Sequence, residues 1–309
     1  MNSNATFILQ NIINALQWGS FYALIALGYS MVYGILMLFN FAHGDVFMVG
    51  AYIGLGIATV LLAVFAGSIM PGWLILILTI IITMFLTSLV GIGIERIGYR
   101  PLRHAPRAST AVTGLMIGIM LQMIILILLG PQQFQFPFFV ETITYNIGGI
   151  FITNTKIIIV GVSLTLMTAL HLFIKKTKYG MAMRAMSYDF LAVPLMGVSI
   201  NVIAPLTFAI GSGLAASAGI LYGMAYPVLN PLIGATLGWK AFVAAILGGR
   251  GSVMGAAMAG FLLGFLEIFS AAIFPSTYRD LITYSIVIII LTFRPHGFFG
   301  QAHSSQLRL

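Results

Sequence analysis

The feature that most constrains this chain is the length of its uncharged apolar runs. Residues 74–94 read LILILTIIITMFLTSLVGIGI, without one charged side chain. A helix that crosses a bilayer needs about 20 mainly apolar residues, whereas strands of a membrane barrel alternate apolar and polar residues over about ten. Because the runs are long and apolar on every side, the sequence predicts an all-α, polytopic integral membrane helical bundle.

Composition agrees with a membrane as the solvent. Charged residues are 6% of the 309-residue chain, whereas they are about 25% of an average soluble domain. The whole chain, 1–309, is expected to form one transmembrane domain of about eight or nine segments, some of them broken or short. Helical spans are predicted near 7–37, 44–66, 72–94, 109–130, 156–175, 200–226, 236–249, 252–274 and 279–294, of which 236–249 and 279–294 are short for a crossing.

Positive charges predict the orientation of the bundle. No Lys or Arg precedes Arg96, and then two basic clusters follow, ERIGYRPLRHAPR (95–107) and KKTKYGMAMR (175–184). Two predicted spans separate the clusters, so both lie on one side, which the positive-inside rule makes cytoplasmic. The basic tail 294–309 is expected there too. Segment 131–155 has no basic residue, and its alternating pattern predicts a small extracytoplasmic strand or hairpin.

Glycines spaced four apart predict close helix packing. In lipid, such pairs let helix backbones approach where hydrophobicity cannot drive association. The pairs are Gly50/Gly54, Gly114/Gly118, Gly219/Gly223, Gly234/Gly238, Gly251/Gly255 and Gly260/Gly264.

Several kinds of chemistry are excluded by the residues present. The sequence has no GxxxxGK[ST] motif to hold nucleotide phosphates, no HExxH motif and no cysteine. The glycine-rich GGRGSVMG at 248–255 lacks the GxGxxG spacing of a dinucleotide-binding turn. We therefore expect no catalysis, no metal site and no cofactor in this chain.

Polar residues within apolar surroundings are the candidates for function. A charge near the centre of a bilayer costs about 2.5–3.5 kcal/mol, so such groups usually face a cavity or a partner. Four of these candidates have a simpler alternative. His43 and Asp45 are alternatively helix caps, Lys240 is alternatively a side chain that extends to the membrane interface, and Arg250 is alternatively a loop residue. Glu267 is expected to be buried and hydrogen-bonded. The full set is Asn40, His43, Asp45, Lys240, Arg250 and Glu267.

The second basic cluster continues into a short amphipathic pattern. From Gly180 to Ala192 it reads GMAMRAMSYDFLA, and Pro194 limits the length of the predicted helix. The pattern fits equally a helix lying on lipid headgroups and a helix that docks a cytoplasmic partner.

The chain resembles the permease subunits of ABC importers for branched-chain amino acids, a group that includes urea and short-amide permeases. The resemblance covers nearly the whole chain, and NFAHGD with ERxxYRPLR is its most specific part. The stretches that carry it are GSFYALIALGYSMVYGILMLFNFAHGDVFMVGAY (19–52), ERIGYRPLR (95–103), YGMAMRAMSYD (179–189), LMGVSIN (195–201), LGGRGSVMGA (247–256) and RPHGFFG (294–300).

The resemblance implies a complex in the bacterial inner membrane. Its members would be a second permease subunit, two cytoplasmic ATPases that bind and hydrolyse the ATP, and an extracytoplasmic substrate-binding protein. Segment 176–199 matches the loop that couples such permeases to the ATPases. Pro194 departs from the family, which usually has a helix-compatible residue there. The residues expected on the coupling surface are Gly180, Arg184, Ala185, Asp189 and Gly197.

We expect the polar candidates to lie along the translocation path, with a non-helical break or tight turn at Asn40–Asp45 and a second break at Gly248–Ser252. The alternatives are an importer of urea or short amides, a transporter or channel that works without ATPases, and a membrane-embedded enzyme. The last would need a catalytic pair that the sequence does not offer.

Overall fold

The structure, a computed structural model, describes residues 3–66, 70–103, 105–190, 192–249 and 251–299. Within these residues the chain forms ten α-helices, which confirms the predicted all-α bundle. They are α1 (Ser3–Leu36), α2 (His43–Val64), α3 (Gly72–Ile94), α4 (Arg107–Leu129), α5 (Asn154–Lys176), α6 (Lys178–Tyr188), α7 (Ile200–Ala225), α8 (Ile233–Gly248), α9 (Val253–Ile273) and α10 (Arg279–Phe293).

Shorter elements join these helices. A π-helix, Glu95–Tyr99, continues α3 and is followed by the 3-10 turn Arg100–Leu102. Two further 3-10 turns are Val193–Met196 and Ser276–Tyr278. The strands, which form two antiparallel pairs, are β1 (Phe134–Gln135), β2 (Thr144–Ile147), β3 (Ile150–Thr153) and β4 (Val228–Leu229).

Eight helical stretches of the described chain are long and apolar enough to cross a membrane, which agrees with the predicted number. The predicted segment 279–294 proves long enough, because the preceding 3-10 turn extends it to Ser276–Phe293, 18 residues. Helix α8 begins three residues earlier than predicted but still has only 16 residues, so it is the short helix of the bundle.

The predicted extracytoplasmic hairpin forms from β2 and β3. Tyr145 pairs with Ile152, and the connecting Gly148 and Gly149 both have positive φ angles, 61° and 90°. A two-residue turn of this kind requires positive φ, which glycine adopts without strain. Gln10 of α1 bonds the backbone of the hairpin, so one end of α1 is held at this end of the bundle.

Helix α1 is the centre of the bundle. Its 34 residues span about 50 Å, and it contacts α9, α7, α8 and α5. The side chains from Phe21 to Leu27 are fully buried. Small residues permit this packing: a side chain on Gly264 would collide with the backbone of Gly19, and one on Gly260 with Ala23. These contacts are of the kind that the glycine spacing predicts.

Two connections enter the interior of the bundle instead of staying at its ends. Residues 37–42 are not helical, and α2 begins at His43, which packs against Gly28, well inside α1. Helix α8 also begins inside the bundle, because Gly234 and Gly238 lie against Gly44.

The predicted breaks are therefore partly corrected. Asn40–Asp45 was expected to form a non-helical break or a tight turn; the structure has the break at 37–42, with a turn at 41–42, and residues 43–45 form the first turn of α2. The break at Gly248–Ser252 is confirmed for its described residues, since α8 ends at Gly248 and α9 begins at Val253.

Replacing Gly264 by Ala tests the packing of α1 on α9. The new Cβ would meet backbone atoms of Gly19, so we expect a loss of about 1–3 kcal/mol in stability. Gly93→Ala is the matched control, because a Cβ at Gly93 meets nothing within 4 Å. Thermal unfolding of the purified protein in detergent should show a lower midpoint for the first variant only. Equal midpoints would contradict the proposed packing.

Candidate functional site

A cavity of about 220 Å³ lies where α2 and α8 begin, beside α4. It combines a carboxylate, an amide and a phenol with aromatic and aliphatic walls, and four glycine or alanine positions leave it open. The lining residues are Tyr29, Phe41, Gly44, Asp45, Leu115, Ile119, Gln122, Gly234, Ala235, Gly238 and Trp239.

Asp45 lies in the first turn of α2 and is only 7% exposed. Its Oδ1 accepts a hydrogen bond of 2.7 Å from the Nε2 of Gln122 on α4. The Tyr29 hydroxyl accepts a hydrogen bond of 3.1 Å from the backbone N–H of Gly44. Sequence reasoning missed Gln122 and Tyr29, because contacts between distant helices leave no local pattern.

His43 and Asp45 both lie in the first turn of α2, as the helix-cap alternative expects for Asp45, but neither is the N-cap. The N-cap of α2 is Ala42, and no side chain makes a cap hydrogen bond there. His43 is buried, and its ring packs edge-on against Tyr29 at a centroid distance of 4.7 Å. It does not line the Asp45 cavity, and its Nε2 has no hydrogen-bond partner in the part of the chain that the structure describes.

Asn40 sits in the break before α2 and joins it to the π-helix. Its Oδ1 accepts a hydrogen bond of 3.1 Å from the Tyr99 hydroxyl. Asn40 also lines a separate, smaller cavity of about 80 Å³ together with Tyr33 and Phe242. The structure therefore brings Asn40, His43 and Asp45 into one region of the bundle but gives each different surroundings.

Lys240 and Glu267 form a buried ion pair. The Lys240 Nζ lies 2.8 Å from Glu267 Oε1 and 2.9 Å from Asp280 Oδ1, and Arg279 Nε lies 3.2 Å from Glu267. The hydroxyl of Tyr22 donates a hydrogen bond to Glu267 Oε2. Because Lys240 is buried in this pair, the snorkelling alternative is wrong. Sequence reasoning predicted a buried, bonded Glu267 but not these partners.

A second charged cluster, which sequence reasoning missed, occupies the ERxxYRPLR motif. Glu95 is buried and bonds both Arg100, at 3.1 Å, and Arg103, at 2.5 Å. Arg103 also donates to the Oδ1 of Asn201 on α7, at 2.7 Å. The motif therefore joins the end of α3 to the start of α7, and through Tyr99 to the break that contains Asn40. Arg250, the remaining candidate, lies outside the described residues.

The predicted coupling segment forms a short surface helix. Helix α6 ends at Tyr188, not at the predicted Ala192, because Asp189 takes an extended conformation and its carboxylate accepts from the backbone N–H of Ala192. Pro194 lies in the following 3-10 turn. The exposed surface of the segment includes Met181, Arg184, Ala185, Tyr188, Asp189, Leu195, Met196 and Gly197.

Gly180 and Gly197 differ from the other expected coupling residues. Gly180 is buried, and a side chain there would collide with the carbonyls of Phe173 and Ile174, so it shapes the turn from α5 into α6. Gly197 has φ +81° and ends the 3-10 turn. A side chain at Gly197 would meet no neighbour, so its backbone conformation alone favours glycine.

Known proteins similar to this chain share one description. The family described as the permease component of branched-chain amino acid transport systems matches residues 11–291. The high-affinity branched-chain amino acid transport permease BraD of Pseudomonas aeruginosa is 40% identical over 95% of this chain and 96% of its own. The corresponding LivH of Escherichia coli K12 is 36% identical over 97% and 98%. A probable LivH of Methanocaldococcus jannaschii is 26% identical over 96% and 93%.

The variant Lys240→Met tests the buried ion pair. It leaves Glu267 without its closest cation, so we expect a loss of about 3 kcal/mol in stability. The double variant Lys240→Met with Glu267→Gln removes both charges and should recover most of the stability that Lys240→Met loses. Lys156→Met is a matched control, since the bond of Lys156 in the described residues is to the neutral Asn14. Thermal unfolding midpoints compare these variants with Glu267→Gln alone. If the double variant lost as much stability as the two single variants together, Lys240 and Glu267 would not be coupled, and the ion pair would be contradicted.

Proposed function

Because the chain belongs to the family of permease components of branched-chain amino acid transport systems, we propose that it is the transmembrane permease of an ABC importer. Its cargo is a branched-chain amino acid, moved inward across the bacterial inner membrane. The observation that carries the proposal is the similarity to relatives with this description from end to end of the chain. The eight apolar helices make it a multi-pass membrane protein, as a permease must be.

The proposed source of energy is two ATPase subunits that bind the segment 176–199. The sequence itself has no phosphate-binding motif. Met181, Arg184 and Ala185 are exposed on α6, and Met181 is 61% exposed although it is apolar. An apolar surface next to a cation, at the same end of the bundle as the basic cluster 95–107, supports a protein contact on the cytoplasmic side. Gly180, Asp189 and Gly197 would shape this surface.

The proposed translocation path passes the interior ends of α2 and α8. Asp45 faces the cavity there, and Asn40 and His43 support the neighbouring break. Lys240 and Glu267 would hold α8 against α9 along the path. Arg250 would act at the loop between them.

The remaining proposed partners are a second permease subunit and an extracytoplasmic substrate-binding protein. The β2–β3 hairpin lies at the opposite end of the bundle from α6, which supports an outward position for the hairpin and a cytoplasmic C-terminus. The side chains of α4 that face away from the bundle, among them Met116, Met120 and Met123, are exposed and apolar, as expected for contact with lipid or a second permease.

Uptake tests the function directly. Cells that lack their own branched-chain amino acid importers would receive this chain together with its partner subunits. We expect uptake of labelled leucine that unlabelled isoleucine and valine inhibit and urea does not. Uptake of urea or acetamide, without uptake of leucine, would replace the proposed cargo by the short-amide alternative.

Arg184→Glu tests the coupling surface. Reversing an exposed charge at a protein contact should reduce leucine uptake at least about tenfold, since a like-charge contact costs several kcal/mol. The amount of chain in the membrane should stay unchanged because Arg184 makes no buried contact. Glu141→Lys, an exposed charge reversal at the hairpin end, is the control and should transport normally. Normal uptake by the Arg184 variant would remove this residue from the coupling surface.

A further inference from the structure

The carboxylates of the described chain are paired with cations wherever they lie in spanning helices, except at Asp45. Glu95 is bonded to two arginines, and both Glu267 and Asp280 are bonded to Lys240 and Arg279. Glu141 and Asp189 are exposed in connections between helices. No lysine, arginine or histidine of the described residues lies within ion-pair distance of Asp45.

The contacts that Asp45 does have stabilise a negative charge without neutralising it. The amide of Gln122 is its one hydrogen-bond partner in the described ranges. Its position in the first turn of α2 places it near the positive end of the helix dipole, which favours an ionised carboxylate. A carboxylate that is nine-tenths buried in a membrane is stabilised by any cation that can reach it.

The surroundings of the carboxylate leave room for such a cation. Neighbouring positions on α4 and α8 are glycines: a side chain on Gly118 would collide with Asp45 Oδ2, and one on Gly234 would approach Oδ1 to 2.7 Å. These glycines leave the carboxylate facing a cavity of about 220 Å³. An apolar cavity of about 150 Å³ holds a benzene molecule, so this one has room for a small amino acid.

The two sides of the cavity have different chemistry. Asp45, Gln122 and the hydroxyl of Tyr29 form its polar side. Leu115 and Ile119 contribute aliphatic surface on α4, and Phe41 and Trp239 contribute aromatic surface on the other wall. Phe41 and Trp239 pack against each other with ring centroids 5.6 Å apart, so the aromatic wall is continuous. A ligand with an ammonium group beside a short branched hydrocarbon matches both sides.

We propose that the cavity binds the amino acid during transport, with Asp45 holding its α-ammonium group and the wall of Phe41, Ile119 and Trp239 holding its side chain. The proposal rests on the proposed function and adds a binding site within the permease chain. The apolar wall matches aliphatic side chains in general, so the site selects for a free ammonium group and against anions. It would also reject urea, which carries no cation for Asp45.

Cysteine labelling in the assembled importer tests the site, because the chain has no cysteine of its own. Ala235→Cys places a thiol of similar size on the cavity wall, and Thr144→Cys in the hairpin serves as control. A small water-soluble thiol reagent is added with leucine, with 3-methylbutylamine or with 4-methylpentanoate. The last two keep the hydrocarbon of leucine but carry only a cation or only an anion.

We expect leucine and 3-methylbutylamine, but not 4-methylpentanoate, to slow labelling at position 235 and to leave position 144 unaffected. Adding Asp45→Asn should raise the amine concentration needed for protection at least about tenfold, because a desolvated charge pair is lost. Labelling at position 144 and co-purification of the partner subunits show that this variant is assembled.

Equal protection by amine and acid, no protection, or no labelling at position 235 under any condition would overturn the site. So would full protection in the Asp45→Asn variant. If Asp45→Asn instead releases the second permease subunit, Asp45 pairs with a base of that subunit and the ligand site is wrong. Leucine uptake by the unmodified importer is measured separately, and its absence would reject the proposed function whatever the labelling shows.

Discussion

The close approach of α1 to α9, at Gly19 against Gly264 and Ala23 against Gly260, is the contact on which the remaining architecture depends. Lipid tails are as apolar as side chains, so helices in a membrane associate through tight backbone contact and not through the hydrophobic effect. The middle of α1 is buried from Phe21 to Leu27, and the chain that leaves this helix returns along its flank. The break at 37–42 makes that return and brings the start of α2 beside the middle of α1. Small residues also let α2 and α8 begin inside the bundle, since Gly28 lies against His43, and Gly44 lies against Gly234 and Gly238.

The lipid surroundings also explain why the buried charges are paired. Water cannot stabilise a buried carboxylate, so Glu95 and Glu267 each take cations from neighbouring elements. The Glu95 cluster also connects two regions: Arg103 reaches α7, which follows the coupling segment, and Tyr99 reaches Asn40 in the break before α2. These contacts form a continuous physical connection from the α6 end of the bundle to the first turn of α2, where Asp45 has no ion-pair partner among the residues that the structure describes.

The membrane class, the number of crossings and the β2–β3 hairpin follow from local patterns, because apolar runs and alternation are properties of neighbouring residues. The end of α6 was harder to predict, since it depends on one carboxylate bonding its own backbone at Asp189. The partners of the polar residues could not be predicted from the sequence. Glu267 and Tyr22 are 245 positions apart, and Asp45 and Gln122 are 77 apart, so only the folded chain brings them together. For the same reason, the apolar surroundings made Asp45 a candidate, but only the folded chain shows that no cation of its described residues pairs with it.

In the proposed importer, this chain transmits work that other subunits derive from ATP. The most direct measurement is purification through a C-terminal tag from native membranes in a mild detergent, with mass spectrometry of the bound proteins. Recovery of ATPase chains and a second permease chain is the predicted result. Recovery of this chain alone, still able to move leucine across a membrane after reconstitution, would contradict the claim, because transport would then need no coupling segment.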